Sequence, residues 1–375
     1  MYKVLVFGMT SNYGGVESVI INYYKNFDRS KIHFDFICNT PDKIAYEDEL
    51  ESMGSKIYHL PKKRKNPIRY FSKLNYFFDN YAQDFDCLWF NVNNLVNIDC
   101  LRLAKKYGIK RRIVHSHNSR MLDDGAEGYI KKYIHKYHKR KIGLYATDLW
   151  ACSNDAAKWM FPQALFYRLK IIKNAINVDL YKFQENKREY LRKKYRLHNS
   201  FVIGNVGRLS YQKNQIFLLK VFKKFQEKNK NSKLVLMGDG EKKNELKLEA
   251  RKLNIEDDVL FLGMVKDTAS WYSAFDVFAF PSLFEGLGIA GIEAQANGLP
   301  VIATKDKIPY EIKINNNFEF IELDNSTNEW VEGLTKFKRI TNQKQISNNF
   351  KEKGFDIFSA KDYLEKMFLN NESKY

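Results

Sequence analysis

Short apolar runs alternate with amphipathic stretches along almost the whole chain, and the alternation is run through twice. In the first half the runs Lys3 to Phe7, His33 to Ile37, Lys56 to His59, Cys87 to Phe90, Arg112 to His115, Thr147 to Ala151 and Lys170 to Ile172 read as strands. In the second half strands fall at Val202 to Val206, Leu234 to Met237, Val259 to Leu262, Val277 to Phe280, Val301 to Ala303 and Phe318 to Ile321. Apolar runs separated by helical segments predict parallel, doubly wound sheets, because such strands are buried on both faces. The expected fold class is therefore α/β, with two Rossmann-like domains facing a central cleft at the C-terminal ends of their strands. The polar, charged run Gln184 to Asn199 interrupts the strands and puts the join between Asn174 and Ser200. The domains that follow are 1–174 and 175–356. A closing segment, about 357–375, has Ala360, Tyr363, Leu364, Met367 and Phe368 at helical spacing.

A chain of 375 residues has room for two domains, each with its own core. The 44% hydrophobic and 15% aromatic content sets aside a disordered chain. Cys38, Cys87, Cys100 and Cys152 are scattered with no C-x-x-C pair, so reduced thiols filling the core are expected. The apolar start Val4 to Phe7 is too short for a signal peptide, and no stretch approaches the roughly 18 apolar residues of a spanning helix. A cytoplasmic protein that does not cross a membrane is expected. The net charge of +18 is unevenly spread: residues 1–174 hold 29 Lys and Arg against 17 Asp and Glu, a net of +12, which leaves +6 for the rest. Positive surface suits nucleic acid, anionic lipid or a phosphorylated substrate, and charge alone does not choose among them.

Candidate chemistry collects at strand ends. In Pro281 to Ala294, Glu285 sits in a Gly-rich loop after a strand and Glu293 on an apolar helix. Carboxylates accept from hydroxyls, and amides of Gly286, Leu287 and Gly288 at the helix start suit phosphate, so the run can frame a pocket for a polyhydroxylated anion. The spacing alone describes equally well a solvated loop Glu and a Glu on a helix face. Arg208 and Lys213 lie at another strand-to-helix turn, where two cations converge on a pyrophosphate or stay as solvated loop charges. Gly14 and Gly15 follow the first strand and open a helix with Glu17 in its first turn, and glycine there lets backbone approach a ligand. His115 and His117 end a strand without a third ligand at metal spacing, so no metal is expected. Asn91 and Asn93 end another strand, where they contact ligand hydroxyls or cap the turn. Gly238-Asp239-Gly240 lacks the third glycine of a dinucleotide fingerprint, and no nicotinamide cofactor is expected.

The stretch Ser282 to Thr304, ending Ala296-Asn297-Gly298-Leu299-Pro300-Val301-Ile302-Ala303-Thr304, resembles the E-x7-E signature of the retaining glycosyltransferases of family 4, which have the GT-B fold. Gly207-Arg208-Leu209 with Lys213 is similar to the family's diphosphate element, Gly14-Gly15 to its G-G element, and His117, with His115 in reserve, to its strand-five histidine. The resemblance implies a nucleotide-sugar donor, a UDP-sugar, in the C-terminal domain and no cofactor beyond that substrate. It puts Arg208 and Lys213 on the diphosphate, Glu285 on donor sugar hydroxyls, Glu293 on ribose hydroxyls and His117 near the reacting carbon. Gly14 and Gly15 would face the diphosphate and the acceptor. The implied acceptor is a lipid-linked saccharide or glycan of bacterial surface polysaccharide, held by the N-terminal domain. Retention, stabilisation of the leaving diphosphate without a metal, and a final helix crossing back to the N-terminal domain belong to the same expectation. Where the family often has a His at the end of strand four, this chain has Asn91, which leaves the acceptor side, Glu17, Asn91 and Asn93, open.

Pro61 to Phe71 and Tyr129 to Lys141 mix cations with aromatics. Tyr129, Tyr133 and Tyr137 share one helical face with Ile130 and Ile134, and that face is expected to pack on the core. The cationic faces suit peripheral attachment to the anionic inner face of the cell membrane, at about 1 kcal/mol per basic residue near the surface. Two other readings stand beside transfer. A GT-B sugar-nucleotide epimerase or hydrolase shares the donor site and needs no acceptor. A nucleic-acid-binding protein explains +18 but not the acidic loop at Glu285, so no specific nucleic acid partner is expected.

Overall fold

The computed structural model describes residues 1–121, 126–323 and 327–369. The chain divides into two compact units, Met1–Ile176 together with the segment from Ile357, and Asn177–Asp356. In the first, β1 (Tyr2–Phe7), β2 (Ile32–Cys38), β3 (Ile57–His59), β4 (Cys87–Val92), β5 (Arg111–Ser116), β6 (Asp148–Ala151) and β7 (Leu169–Ile171) form a parallel sheet in the order β3-β2-β1-β4-β5-β6-β7. In the second, β8 (Phe201–Val206), β9 (Ser232–Met237), β10 (Val259–Gly263), β11 (Val277–Phe280), β12 (Val301–Thr304) and β13 (Phe318–Ile321) form another, in the order β10-β9-β8-β11-β12-β13. Every apolar run read as a strand is one. Central strands such as Val4 to Val6 and Val277 to Phe280 are wholly buried, as coverage of both sheet faces requires.

The strand order reverses between β1 and β4 in the first sheet and between β8 and β11 in the second. At such a switch point the loops leaving neighbouring strands part to opposite faces, and a crevice opens at the strand ends. Both crevices are bordered by the motifs picked out from the sequence.

The helix Ile357–Leu369 belongs to the first unit. The Phe368 ring packs edge-on against Phe27, Phe34, Trp89 and Trp150, with centroids 6.2, 5.7, 5.5 and 5.3 Å away. Arg111 Nη1 donates to the Phe368 carbonyl at 2.8 Å, and the Ile357 amide donates to the Ile176 carbonyl at 2.9 Å where the chain re-enters the unit. Residues 370–375 of the expected helix lie outside the described residues.

The charged run after Gln184 forms a packed helix, Glu185–Lys194: Arg188 and Arg192 both pair with Asp276, and Arg192 Nε donates to the Ala274 carbonyl at 2.9 Å. Planar guanidinium donors let a polar sequence dock where apolar residues are few. The helix Ala126–Lys141 overturns the expected core packing of its tyrosine face, because Tyr129, Ile130, Tyr133 and Tyr137 are 73%, 62%, 73% and 47% exposed. Its histidines turn inward instead. His135 is buried and stacked on Trp159 at 4.1 Å, its Nδ1 accepts from the Leu95 amide at 3.1 Å, and His138 Nδ1 donates to the Leu95 carbonyl at 2.6 Å. Imidazoles satisfy the backbone groups of the loop after β4, which the apolar faces of tyrosine and isoleucine cannot do.

Candidate active site

In the second unit, Lys213 ends a short turn, Tyr211–Lys213, that follows β8. Its Nζ lies 2.7 Å from Glu285 Oε1, with side-chain exposures of 16% and 7%, and 5.3 Å from the centroid of the Phe280 ring. Three loops are clasped around this pair. The Leu283 amide donates to the Gln212 carbonyl at 2.8 Å, Gln212 Nε2 to the Phe284 carbonyl at 2.9 Å, and the Glu285 amide to the Lys307 carbonyl at 3.2 Å. Gly288, at φ +94°, caps the helix Ile289–Ala296, and a Cβ there would come within 2.8 Å of the Phe280 ring. Glycine is needed both for the left-handed backbone and for the close approach. Leu287 is buried beside it, and Gly286 joins it to Glu285.

Arg208 does not join Lys213. Its side chain is 67% exposed and pairs with Glu241 at 3.1 Å on the surface. Exposed pairs contribute little, so the guanidinium is easily redirected to a bound anion. Glu293 has different partners from Glu285. Tyr181 donates to its Oε1 at 2.9 Å and Tyr272 to its Oε2 at 2.7 Å. Burial pushes its pKa above the usual carboxylate value, and the two phenolic hydrogen bonds pull it partly back. No feature of the sequence near Glu293 announced these tyrosines.

The first unit's crevice is tightly hydrogen-bonded. Gly14 is the cap of the helix Gly15–Asn26, and a Cβ on it would lie 2.7 Å from Glu17 Oε2. Glu17 Oε1 accepts from the Thr10 amide at 3.2 Å and the Thr10 hydroxyl at 2.6 Å, and burial raises its pKa. Its carboxylate ties down the loop after β1. His117 Nε2 lies 2.8 Å from Asn91 Oδ1, and the His117 amide donates to the Val92 carbonyl at 3.1 Å. Burial drives the His117 pKa down to about 3, so the ring is neutral. His115 lies deeper, its ring 4.0 Å from that of His117 and packed near Trp89 and Trp150. Asn91 is buried with its amide engaged inside the protein, whereas Asn93 is exposed.

Among the described residues no group of three or more His, Cys, Asp or Glu is arranged to hold a metal ion. The four cysteines are buried and form no disulfide among the described residues. Among the described residues no helix is long and apolar enough to cross a membrane.

Residues 186–355 match the family model described as glycosyl transferases group 1. A Bacillus subtilis (strain 168) protein named as a glycosyltransferase, EpsF, is 32% identical over 295 residues, covering 78% of this chain and 76% of its own. The capsular polysaccharide biosynthesis glycosyltransferase CapH of Staphylococcus aureus is 27% identical over 380 residues, 99% of each chain. Among solved structures, Anabaena HepE in complex with UDP-glucose matches with a TM-score of 0.79 over 98% of this chain and 99% of that one, at 18% identity, a likeness of fold. With two parallel doubly wound sheets of the GT-B kind and a relative of this similarity, the chain belongs to the group 1 glycosyltransferases.

Proposed function

We propose that this glycosyltransferase is of the family 4 kind and moves a sugar, with retention of configuration, from a UDP-sugar to a lipid-linked or glycan acceptor in bacterial surface polysaccharide synthesis. The observation that carries the reading is the ion pair of half-buried Lys213 with buried Glu285 over Phe280, at the switch point of the second sheet. An ammonium preset in a water-poor crevice stabilises a diphosphate whose charge grows as the glycosidic bond breaks. Arg208, drawn from its exposed partner Glu241, adds a planar cation at the rim. With two cations on the leaving group, the proposal needs no divalent metal. In this reading Glu285 meets donor sugar hydroxyls, and Glu293 reaches the ribose once a tyrosine hydroxyl gives way. His117 meets a donor hydroxyl, and Gly14 and Gly15 let backbone approach the substrate. The departing phosphate oxygen takes the acceptor proton, so no side chain serves as general base. The UDP-glucose named for the HepE structure and the capsular role named for CapH support the donor and the pathway class.

The same reading assigns donor binding to the second unit, acceptor binding to the first, and a place at the inner face of the cell membrane. Exposed Tyr129, Tyr133 and Tyr137, with exposed Lys136 and Arg140 on the same helix, support attachment to an anionic leaflet. Cosedimentation with phosphatidylglycerol vesicles should fall in the Tyr129→Ser/Tyr133→Ser double variant, and unchanged binding would remove that surface from the reading.

A thermal-shift panel of UDP-, GDP- and ADP-sugars tests the donor. Ligand at 100 times its Kd stabilises a folded protein by about 2.7 kcal/mol. A shift confined to UDP-sugars, with transfer persisting in EDTA, is the expected result. A panel with no shift, or release of free sugar without any acceptor, overturns the reading.

A further inference from the structure

Asn91 and His117 close the ends of two neighbouring strands, β4 and β5. The ladder pairs Asn91 with His115 and Val92 with Ser116, and the His117 amide extends it by donating to the Val92 carbonyl at 3.1 Å. The Asn91 side chain has one orientation available. Its Nδ2 donates to the Trp89 carbonyl at 3.2 Å, which turns Oδ1 toward His117. Gly8, at φ +121°, lies directly against Asn91: a Cβ there would come within 2.4 Å of the Asn91 carbonyl oxygen and 2.8 Å of its Cβ. The end of β1 thus holds the end of β4 in place.

A carboxamide oxygen only accepts, so the hydrogen between the two side chains belongs to His117 Nε2. A neutral imidazole carries one N–H, and Nδ1 therefore keeps its lone pair. That Nδ1 is buried and has no hydrogen-bond partner among the described residues. An unsatisfied buried acceptor is costly, so Nδ1 gains from a donor that reaches it. His115, the nearest ring, makes no hydrogen bond to it.

We propose that Asn91 is a positioning residue that locks His117 as the Nε2–H tautomer, leaving Nδ1 as an acceptor for a sugar hydroxyl of the substrate. The identity of the hydroxyl rests on the glycosyltransferase reading above, whereas the tautomer rests on the protein alone. An acceptor-only nitrogen selects a hydroxyl at the facing sugar position over an ether, a carbonyl or a carboxylate, each of which brings lone pairs and no hydrogen. Asn91 in this way shapes donor choice without touching the donor.

The test is a two-bond proton–nitrogen correlation spectrum of the full chain labelled with 15N-histidine, at neutral pH, with His117→Gln to assign the ring. The expected wild-type spectrum has a protonated Nε2 and an unprotonated Nδ1 for His117. Asn91→Leu should lose that single-tautomer signature and give a mixture, and Asn91→Gln, which keeps a carboxamide oxygen, should recover part of it. A wild-type ring protonated on Nδ1, or a signature unchanged in Asn91→Leu, overturns the lock. If Asn91→Leu does not fold, the wild-type spectrum still decides. Adding the UDP-sugar that most raises the melting temperature should move the Nδ1 resonance as it accepts a hydrogen. A bound UDP-sugar that leaves Nδ1 unmoved overturns the hydroxyl contact alone. A UDP-sugar panel with no thermal shift overturns the donor reading and the hydroxyl contact with it, while the apo tautomer is judged separately.

Discussion

The two strand-end crevices solve different chemical problems with the same topology. In the second unit a half-buried ammonium faces a buried carboxylate, and a second cation, Arg208, lies exposed beside Glu241. In the first, every group near the strand ends is neutral or tied into the loop: His117 on Asn91, and Glu17 on Thr10. The contrast runs against the charge distribution, because the first unit holds the larger share of the net charge. Its cations lie elsewhere, several of them in surface pairs such as Lys62 with Asp42, Lys63 with Asp99 and Arg64 with Glu127. Net charge therefore reports on what surrounds a domain, and the crevice must be read residue by residue. In the proposed reaction the charged groups would stabilise the phosphate, and the oriented groups of the first unit would tell hydroxyls apart.

The largest expected effect breaks the charged crevice. Lys213→Met should reduce turnover by about 10²–10³-fold with the fold intact by circular dichroism, since removing a preset stabiliser of developing charge has that size. Wild-type turnover in this variant would end the contrast. Next, Tyr272→Phe removes a buried donor from Glu293 and should cost about 1.5–3 kcal/mol in urea unfolding, the range for hydrogen bonds to charged groups. A loss within error would mean that Tyr181 alone satisfies the carboxylate.

Two buried groups, His117 and Glu293, give pH dependences of opposite sign. His117 has a folded pKa of about 3 against an ordinary 6.5, so the unfolded chain binds the extra proton between these values. Stability from this group is whole above 6.5 and is lost as pH falls toward 3, with a slope of up to about 1.4 kcal/mol per pH unit. Glu293 is raised above 4.5, so in its window the folded protein holds the proton, and stability falls as pH rises from 4.5 through the folded value. Urea titrations of His117→Gln and Glu293→Gln should flatten the pH profile in opposite directions, and slopes of the same sign would refute the assignment. The smallest effect is on stability in Arg208→Ala. Its partner Glu241 is exposed, so the change should stay within about 0.5 kcal/mol while UDP-sugar binding weakens in the thermal-shift assay.

The strands were legible because parallel strands covered on both faces must be continuous apolar runs, and the helix Ile289–Ala296 follows for a related reason. The direction of the tyrosine face at Tyr129 to Tyr137 was not legible. Helical period tells which residues share a face, but both faces of that helix carry rings, and only the stacking of His135 on Trp159 settles which one is inside. At the site, Gly-rich loops and strand ends located Lys213, Glu285, Gly14 and His117. Their partners were out of reach. Lys213 and Glu285 are 72 residues apart, Asn91 and His117 are 26 apart, and Tyr181 reaches Glu293 across 112.

Burial of apolar runs, the turn chemistry of glycine and the period of helices are local properties, and they suffice for the α/β class, the strand boundaries and the loops that carry chemistry. Partnership is not local. Whether a carboxylate meets an ammonium or two phenols, and which imidazole nitrogen keeps its hydrogen, depends on which strand ends the sheet order brings side by side. That order reverses at β1 with β4 and at β8 with β11. Glu285 and Glu293, eight positions apart and alike as residues, take opposite roles because one lies in a loop against Lys213 and the other on a helix between Tyr181 and Tyr272.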